Sequence, residues 1–267
     1  MRLTGLTGMV GRQMMKNKKS LGQNWLKNRE ILEEIADLSA VKSSEKTEVD
    51  LCVEIGPGLG FLTSSLLKRF KKIIAVEYDA DLARKLPGSF PGKNLTVVNE
   101  DILKYDFGGI DEPFVVAGNI PYYITSPIIK KVLTLPKKPA RVVLLMQKEV
   151  AERIVSDKET LLSLFVKNFA KVLAGPVVPR EEFTPPPKVD SQVVVMEPFE
   201  APVVDEKVFG LIKKGFSAPR KKLIRNLAGV KSEAELLDAF SECGISRDAR
   251  PGDVSLEIWA KLYNKLK

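Results

Sequence analysis

Short apolar runs alternate with helical stretches through most of the chain from residue 49 onward. Continuous β-branched runs separated by helices indicate strands buried on both faces, so this pattern predicts a parallel sheet covered by helices. SQVVVMEPF (191–199) has only a loop before it, and we expect it to join as an antiparallel edge strand or hairpin partner. The other predicted strands are VDLCVEI (49–55), KIIAVE (72–77), LTVVNED (95–101), PFVVAGN (113–119) and ARVVLLMQ (140–147), the last followed by helical stretches to about Leu173.

Helical patterns flank the predicted sheet on both sides. Asn28 is placed to cap a first helix, and Ser232 opens a capping box for a late one. We therefore predict a flexible basic arm at 1–17, an α/β domain at 18–199 and a small all-helical domain at 200–267. The apolar positions that mark helix faces are Ile31, Leu32, Ile35, Leu38, Val208, Leu211, Ile212, Gly215, Phe216, Leu256, Trp259, Leu262, Tyr263 and Leu266.

The 267 residues include no histidine and two cysteines, Cys52 and Cys243. The missing histidine excludes Ser-His-Asp and Cys-His nucleophilic catalysis and any His-ligated metal site. The cysteines are too few for a four-thiolate zinc site or a disulfide framework, and we expect both to be buried reduced thiols. The chemistry is therefore expected from carboxylates, hydroxyls, amides, backbone groups or a bound cofactor, without a metal.

The net charge of +8 predicts a polyanionic partner. No apolar run reaches the roughly 18 residues of a membrane helix, and residues 1–19 lack the apolar core of a secretory signal. We expect a cytoplasmic monomer with no membrane partner. An organelle transit peptide stays open as an alternative for the basic N-terminal segment.

A glycine cluster joins the first predicted strand to the next helix, at Gly56, Gly58 and Gly60. The dinucleotide fingerprint requires G-x-G-x-x-G, whereas here the third glycine comes one position early and Phe61 follows it. This spacing suits S-adenosylmethionine, which carries no phosphate and needs a loop of close approach rather than an anion cradle. Glu54, just before the turn, is placed to meet the cationic amino-acid part of that cofactor directly or through water.

Two further acids follow the second and third predicted strands. Glu77 can accept hydrogen bonds from both ribose hydroxyls through its two oxygens. Asp101 can accept from the adenine amino group, while Ile102 donates its backbone N–H to the ring. Because ligands of open α/β sheets bind at the carboxyl ends of strands, Glu54, Glu77 and Asp101 predict one cofactor site.

Asn119-Ile120-Pro121-Tyr122 follows the fourth predicted strand. An exocyclic adenine amine is a poor nucleophile because its lone pair is delocalised into the ring. The Asn119 side-chain oxygen and the Ile120 backbone carbonyl can accept from its two N–H bonds and draw that lone pair out, with Pro121 fixing the turn. Tyr122 can stack on a flipped base, whereas we expect Tyr123 to pack in the core.

Phe183 precedes a proline run in FTPPPKVDS (183–191). Consecutive prolines make a stiff extended loop, which can bring Phe183 over the other face of the target base. We therefore count Phe183 with the catalytic candidates.

Residues 213–225 carry six cations and no acid. Apolar Phe216, Leu223, Ile224 and Leu227 can pack inward and leave these cations on the surface. Together with cations of the N-terminal arm, this run predicts a clamp on an RNA backbone. The predicted RNA-binding residues are Arg12, Lys16, Lys18, Lys19, Lys213, Lys214, Arg220, Lys221, Lys222 and Arg225.

Residues 18–267 resemble the KsgA-type small-subunit rRNA adenine dimethyltransferase family. The resemblance implies a Rossmann-like seven-stranded S-adenosylmethionine-dependent methyltransferase sheet with a small C-terminal all-helical domain. It also implies dimethylation of N6 of two adjacent adenosines near the 3′ end of small-subunit rRNA, in immature small subunits, and a role in their biogenesis. The motifs are KKSLGQNWL (18–26), EIGPGLG (54–60), VEYD (76–79), NED (99–101), NIPYYITSP (119–127), FTPPPKVDS (183–191), FSAPRKKLIRNL (216–227) and RPGDVSLEIWAKL (250–262).

By motif match, the resemblance assigns cofactor contacts to a set of residues along these motifs, with Tyr78 of VEYD as a further candidate. The matched residues are Gln23, Asn24, Leu26, Gly56, Glu77, Asp101 and Asn119.

Two departures from the family pattern leave alternatives open. Asn24-Trp25 stands where the family often has His-Phe or Asn-Phe, and NIPY replaces the commoner NLPY. Because NIPY also occurs in Erm-type large-subunit rRNA methyltransferases, such an enzyme is the first alternative. The second is an assembly factor that kept the fold and lost activity, against which the intact tetrapeptide argues. A dinucleotide dehydrogenase is disfavoured by Phe61 and by the tetrapeptide.

Overall fold

The computed structural model describes residues 23–41 and 48–267. The predicted arm at 1–17, its cations Arg12, Lys16, Lys18 and Lys19, and all but the last residue of the polar segment 42–48 lie outside the described residues.

A seven-stranded sheet forms the centre of the molecule, in the order β4-β3-β2-β5-β6-β9-β7. The strands β4, β3, β2, β5 and β6 run parallel to one another, and β9 runs antiparallel to both β6 and β7. A separate two-stranded sheet pairs β1 with β8. The strands are β1 Trp25–Leu26, β2 Leu51–Ile55, β3 Lys72–Glu77, β4 Leu95–Asn99, β5 Phe114–Asn119, β6 Arg141–Gln147, β7 Ala170–Val178, β8 Phe183–Thr184 and β9 Ser191–Pro198.

Helices cover both faces of the sheet and form the C-terminal part of the chain. The predicted helix starts at Asn28 and Ser232 are confirmed, since both side chains accept hydrogen bonds from first-turn N–H groups, and Ser255 caps the last helix in the same way. The helices are α1 Arg29–Ser39, α2 Phe61–Leu66, α3 Ala80–Lys85, α4 Thr125–Leu133, α5 Lys148–Val155, α6 Leu161–Phe169, α7 Glu206–Gly215, α8 Leu223–Asn226, α9 Glu233–Glu242 and α10 Leu256–Leu266.

The five predicted parallel strands are confirmed, and each face of the sheet has its own core. All of β2 is buried, with Leu51, Val53 and Ile55 in one cluster and Cys52 in the other. This alternation with burial on both sides is the arrangement that the continuous apolar runs predicted. Cys52 is a buried free thiol as expected, but Cys243 is only half-buried.

The prediction of helix to about Leu173 is wrong. The helix α6 ends at Phe169 and the edge strand β7 begins at Ala170, with no turn between them. Pro176 lies inside β7, which an edge strand tolerates because proline has no N–H to donate to the ladder. The strand β9 is antiparallel as expected. Of the two positions predicted for it, the hairpin partner is correct, because β9 pairs with β7 and lies between β6 and β7 rather than at the edge.

The C-terminal helices have a core of their own that is joined to the sheet through α6. Leu164 of α6 is buried in this third cluster. The side-chain amide of Asn168 donates to the carbonyl of Val204 at 3.2 Å and accepts from its N–H at 2.8 Å. These contacts hold the helical segment in a fixed place beside the sheet.

Candidate active site

A cavity of about 370 Å³ opens at the carboxyl ends of the central strands. Fourteen of the predicted site residues line it: Gln23, Asn24, Leu26, Glu54, Gly56, Gly58, Glu77, Tyr78, Asp101, Ile102, Asn119, Ile120, Pro121 and Tyr122. Sequence reasoning did not single out Trp25 or Phe61 as part of it, although both lie next to residues that it did choose.

The glycine turn is tied to the end of β3. The N–H of Gly56 donates to the carbonyl of Val76 at 2.9 Å, and the N–H of Gly58 donates to Oε2 of Glu77 at 3.0 Å. Gly56 has a φ of +63°, and a Cβ built on it meets nothing within 4 Å. The turn therefore presents bare backbone to the cavity.

Gly60, predicted as a cofactor contact, is not among the residues that line this cavity. It caps α2 with a φ of +83°, and an added Cβ would lie 2.8 Å from side-chain atoms of Leu86 and Phe90. This glycine is required by the backbone conformation and by close packing against the loop after α3.

Glu77, the last residue of β3, is held in one position beside the glycine turn. It is buried, and its Oε1 accepts from the N–H of Asp79 at 2.8 Å while Oε2 accepts from Gly58. Burial raises the pKa of Glu77. Each oxygen keeps a second lone pair, so a ligand diol can add two hydrogen bonds to those from the backbone.

Glu54 is the most deeply buried acid of the cavity wall, with 1% of its surface exposed. Its Oε2 accepts from the hydroxyl of Thr63 at 2.6 Å. Burial raises the pKa of Glu54 to about 8, because the charged form is poorly solvated there. A cation arriving in the cavity favours the ionised form, so this carboxyl is a natural partner for a positive ligand group.

Asp101 and Ile102 close the far end of the cavity, just beyond β4. The Oδ1 of Asp101 accepts from the N–H of Leu103 at 2.9 Å, which fixes the carboxylate in a tight turn. The Ile102 side chain is buried and packs in the core on the side of the sheet that α4 covers.

The segment 23–26 lines the cavity and contacts three other segments of the chain. The side-chain amide of Gln23 donates to Asp79 at 3.3 Å, and the Trp25 indole lies against Gly58, where an added Cβ would be 3.2 Å from Nε1. The carbonyl of Asn24 accepts from Nδ2 of Asn119 at 3.0 Å. Because the side-chain nitrogen of Asn119 donates to the Asn24 carbonyl, the side-chain oxygen of Asn119 points away from Asn24.

Tyr122 is anchored through its hydroxyl. This hydroxyl and that of Ser191, at the start of β9, are 2.7 Å apart. Ser191 is fully buried, and burial also raises the pKa of Tyr122. The ring is therefore held in one orientation beside Asn119, as a stacking platform requires.

Two aromatic residues are not where the sequence led us to expect them. Phe183 pairs with Leu26 in the small sheet and is 2% exposed, so it packs in a core and does not line the cavity. The proline run starts after this strand, so its stiffness does not carry Phe183 outward. Tyr123 was expected to pack in the core, but it is 64% exposed and lines the cavity.

The basic run at 213–225, which extends from the last turn of α7 into α8, is a surface feature. All six of its cations are exposed, whereas Leu223 and Leu227 beneath them are buried. Lys222 forms an ion pair with Asp248. The apolar residues therefore pack inward as predicted and leave the cations facing solvent.

Comparison with known proteins decides the family. The profile of the family described as ribosomal RNA adenine dimethylase matches residues 14–267. The chain belongs to the ribosomal RNA adenine dimethylase family. The predicted resemblance is thereby confirmed, and the fold is the Rossmann-like methyltransferase fold expected of such an enzyme.

Relatives of this dimethylase span nearly its whole length. The ribosomal RNA small subunit methyltransferase A of Bacillus pumilus is 39% identical, covering 94% of this chain and 91% of its own. The protein of the same name from Nostoc sp. is 38% identical, covering 95% and 99%. A dimethyladenosine transferase from Plasmodium falciparum superposes with a TM-score of 0.75 at 29% identity, over 90% of this chain and 98% of its own.

The crystal structure of the 23S rRNA methyltransferase ErmE is equally similar in shape, with a TM-score of 0.76 at 26% identity over 91% of this chain and 99% of its own. Overall shape therefore does not distinguish between these two neighbours. In the described part of this dimethylase, no helix has the length and apolar character needed to cross a membrane. Among the same residues, no group of three or more Cys, Asp and Glu side chains is arranged to hold a metal ion.

Proposed function

We propose that this dimethylase transfers methyl groups from S-adenosylmethionine to N6 of two adjacent adenosines near the 3′ end of small-subunit rRNA. The observation that carries the proposal is the contact between Asn119 and the Asn24 carbonyl, because it leaves the Asn119 oxygen as an acceptor at the cavity. The names of the relatives from Bacillus pumilus and Nostoc support the small subunit as the source of the substrate.

The cavity fits the cofactor on three counts. Its volume suits a small ligand, the bare backbone at Gly56 permits close approach, and the anchored carboxylate of Glu77 offers two acceptors for a diol. Glu54 would meet the cationic amino-acid part, while Tyr78, Asp101 and Ile102 would surround the adenine. When bound, S-adenosylmethionine supplies an electrophilic methyl group on a sulfonium.

The tetrapeptide Asn119-Ile120-Pro121-Tyr122 would make the target amine nucleophilic. The Asn119 oxygen and the Ile120 carbonyl accept from its two N–H bonds, which favours the form with the lone pair localised on nitrogen. The ring of Tyr122, fixed through Ser191, would stack on the flipped base and hold it toward the methyl group. After transfer the amine becomes acidic and can lose its proton to water.

The helical part, residues 200–267, would bind the rRNA backbone through the basic run. Among the described residues, Lys214, Arg220, Lys221 and Arg225 form no ion pair, so their charges are available to phosphates. In this proposal residues 18–199 form the methyltransferase domain, residues 1–17 add further cations, and a monomer acts on assembling subunits in the cytoplasm.

A transfer assay tests the substrate. Labelled S-adenosylmethionine is incubated with this protein and either small or large subunits from cells that lack the modification. We expect label in small-subunit rRNA alone. Label in large-subunit rRNA alone would overturn the proposal in favour of an Erm-type activity, and the absence of label from both would favour an assembly factor without catalysis.

A further inference from the structure

Tyr123 is an aromatic residue that the turn geometry forces into solvent at the mouth of the cavity. Residues Tyr122–Ile124 form one 3₁₀ turn, closed by the Ile124 N–H donating to the Pro121 carbonyl at 3.2 Å. With three residues per turn, consecutive side chains point about 120° apart. Tyr122 is directed to Ser191 and Ile124 packs on the core, so the remaining direction leads outward.

The exposed ring has no structural task among the described residues. Tyr123 is 64% exposed, belongs to none of the three core clusters, and forms no hydrogen bond or ring pair with a described residue. It nevertheless lines the same cavity as Asn119 and the anchored Tyr122. An exposed aromatic ring beside a binding site offers a flat face on which a nucleobase can stack.

We propose that Tyr123 is a second stacking platform, which holds the unpaired nucleobase next to the target adenosine in the same RNA strand. Every base has a π face, so an exposed aromatic ring recognises a neighbouring unpaired base without reading its identity. Tyr122 and Tyr123 are consecutive residues, and consecutive nucleotides of one strand reach both. This inference rests on the proposed function and adds a substrate-positioning residue to it.

The ring at Tyr123 is distinct from the exposed ring at the cofactor end. Tyr78 is 63% exposed and also lines the cavity, but it follows β3, whereas Tyr123 follows β5. The strand β2 lies between these two, so their ends are separated by two strand spacings, about 10 Å. Tyr78 is therefore a matched aromatic control, and Phe199, 36% exposed beyond the opposite end of β9, is a control remote from the cavity.

The experiment measures methyl transfer to reassembled small subunits whose rRNA carries a synthetic 3′ segment. Replacing the ring in Tyr123→Leu should raise the half-saturating subunit concentration about 5- to 150-fold, the range that corresponds to the loss of one stacked base. Tyr123→Phe keeps the ring and should stay near wild type. The single-turnover rate of the first methyl at saturation should change little in either variant, and Phe199→Leu should behave as wild type throughout.

A second arm uses rRNA in which the base beside the target is abasic. On the abasic rRNA, the wild-type protein should lose affinity by about the same factor as Tyr123→Leu loses on normal rRNA. Tyr123→Leu should lose nothing further on the abasic rRNA, because the residue and the base act as one pair. The proposal would be overturned if the losses of affinity from Tyr123→Leu and from the abasic site were additive when the two are combined. It would also be overturned if Tyr123→Leu reached half-saturation at the wild-type subunit concentration.

Calorimetry with S-adenosylhomocysteine completes the test. Tyr78→Leu should weaken this ligand, whereas Tyr123→Leu should bind it as wild type does. If Tyr123→Leu weakens it instead, the ring belongs to the cofactor site and the proposal is wrong. Failure of the wild-type protein to methylate small subunits would refute the proposed function itself, and the role of Tyr123 would fall with it.

Discussion

Asn119 donates its side-chain amide to the backbone carbonyl of Asn24 across 3.0 Å, joining the end of β5 to the segment that precedes β1. Because of this contact, the proposed catalytic role of Asn119 requires an amide side chain rather than a carboxylate. A side chain at this position must donate on one side and accept on the other, which the asparagine amide does and an ionised aspartate, of nearly the same shape, does not.

Replacing Asn119 should separate these two requirements. Asn119→Ala removes the acceptor and should lower single-turnover methyl transfer about 100-fold or more. Asn119→Asp keeps an acceptor but faces the Asn24 carbonyl with a second oxygen, so it should lose a comparable factor. Filter binding should show nearly unchanged affinity for small subunits in both variants. Near-wild-type turnover in Asn119→Asp would show that the donation to Asn24 is unimportant.

Glu77 should dominate cofactor affinity. Glu77→Ala removes both acceptors and should weaken binding of S-adenosylhomocysteine by about 1.5–3 kcal/mol, the scale of hydrogen bonds to a charged group. Glu77→Gln should not rescue it, because its amide nitrogen would meet one of the backbone N–H donors at Gly58 and Asp79. The measurement is calorimetry on variants whose folding is checked by thermal unfolding. An unchanged affinity in folded Glu77→Ala would remove this residue from the site.

The sequence predicted the parallel strands and most of the cavity wall because both follow from local patterns. Continuous apolar runs reveal buried strands, and their carboxyl ends meet at one edge. The strand β7 was missed because it continues directly from α6, so no turn residue marks the change from helix to strand. The position of Phe183 depends on its pairing with Leu26, and the position of Tyr123 depends on a single 3₁₀ turn. Neither feature produces a periodic pattern in the sequence.

Tyr122 should act through its ring, with the hydroxyl as an anchor. Tyr122→Ala should lose most turnover, whereas Tyr122→Phe should keep most of it and lose only the contact with Ser191. Ser191→Ala removes the same contact from the other side, so the double variant Tyr122→Phe with Ser191→Ala should be little worse than either single one. Additive losses in single-turnover rates would show that the two hydroxyls act independently.

Glu54 should make stability fall as pH rises. Its pKa is about 8 in the folded protein against 4.5 ordinarily, so between these values the folded state keeps a proton that the unfolded chain releases. The free energy of unfolding therefore declines with pH in this window, by at most about 1.4 kcal/mol per pH unit from this group. Glu54→Gln cannot titrate and should flatten the decline.

Urea unfolding of wild type and Glu54→Gln at several pH values between 5 and 8 measures the difference in slope. Glu77, whose pKa burial also raises, is present in both proteins, so it contributes to the difference only through its repulsion with Glu54. Identical slopes would mean that Glu54 is ionised throughout this range.

The basic run should set affinity for the ribosomal subunit without affecting the cofactor. Charge reversal of Arg220 and Lys221 should abolish small-subunit binding, while calorimetry with S-adenosylhomocysteine stays unchanged. Neutralising Arg220 alone should weaken binding and reduce the slope of its salt dependence by about 0.7–0.9, as expected for one lost phosphate contact. Lys222 is a poorer choice, because Asp248 already holds it.

Lys93→Glu serves as the charge-matched control for this run. Lys93 is exposed and precedes β4, at the end of the sheet opposite the cavity. The control should bind small subunits normally. Normal binding by the Arg220 and Lys221 reversal as well would show that the run only solubilises the helical segment.

Identification of the methylated atom tests the account most directly. Small subunits lacking the modification are treated with wild type or Asn119→Ala and S-adenosylmethionine, and the rRNA is digested to nucleosides and mapped by mass spectrometry. We predict N6,N6-dimethyladenosine at two adjacent positions near the 3′ end with wild type, and almost none with the variant. Methylation of another atom, or an equal yield from Asn119→Ala, would contradict activation of the adenine amine by Asn119.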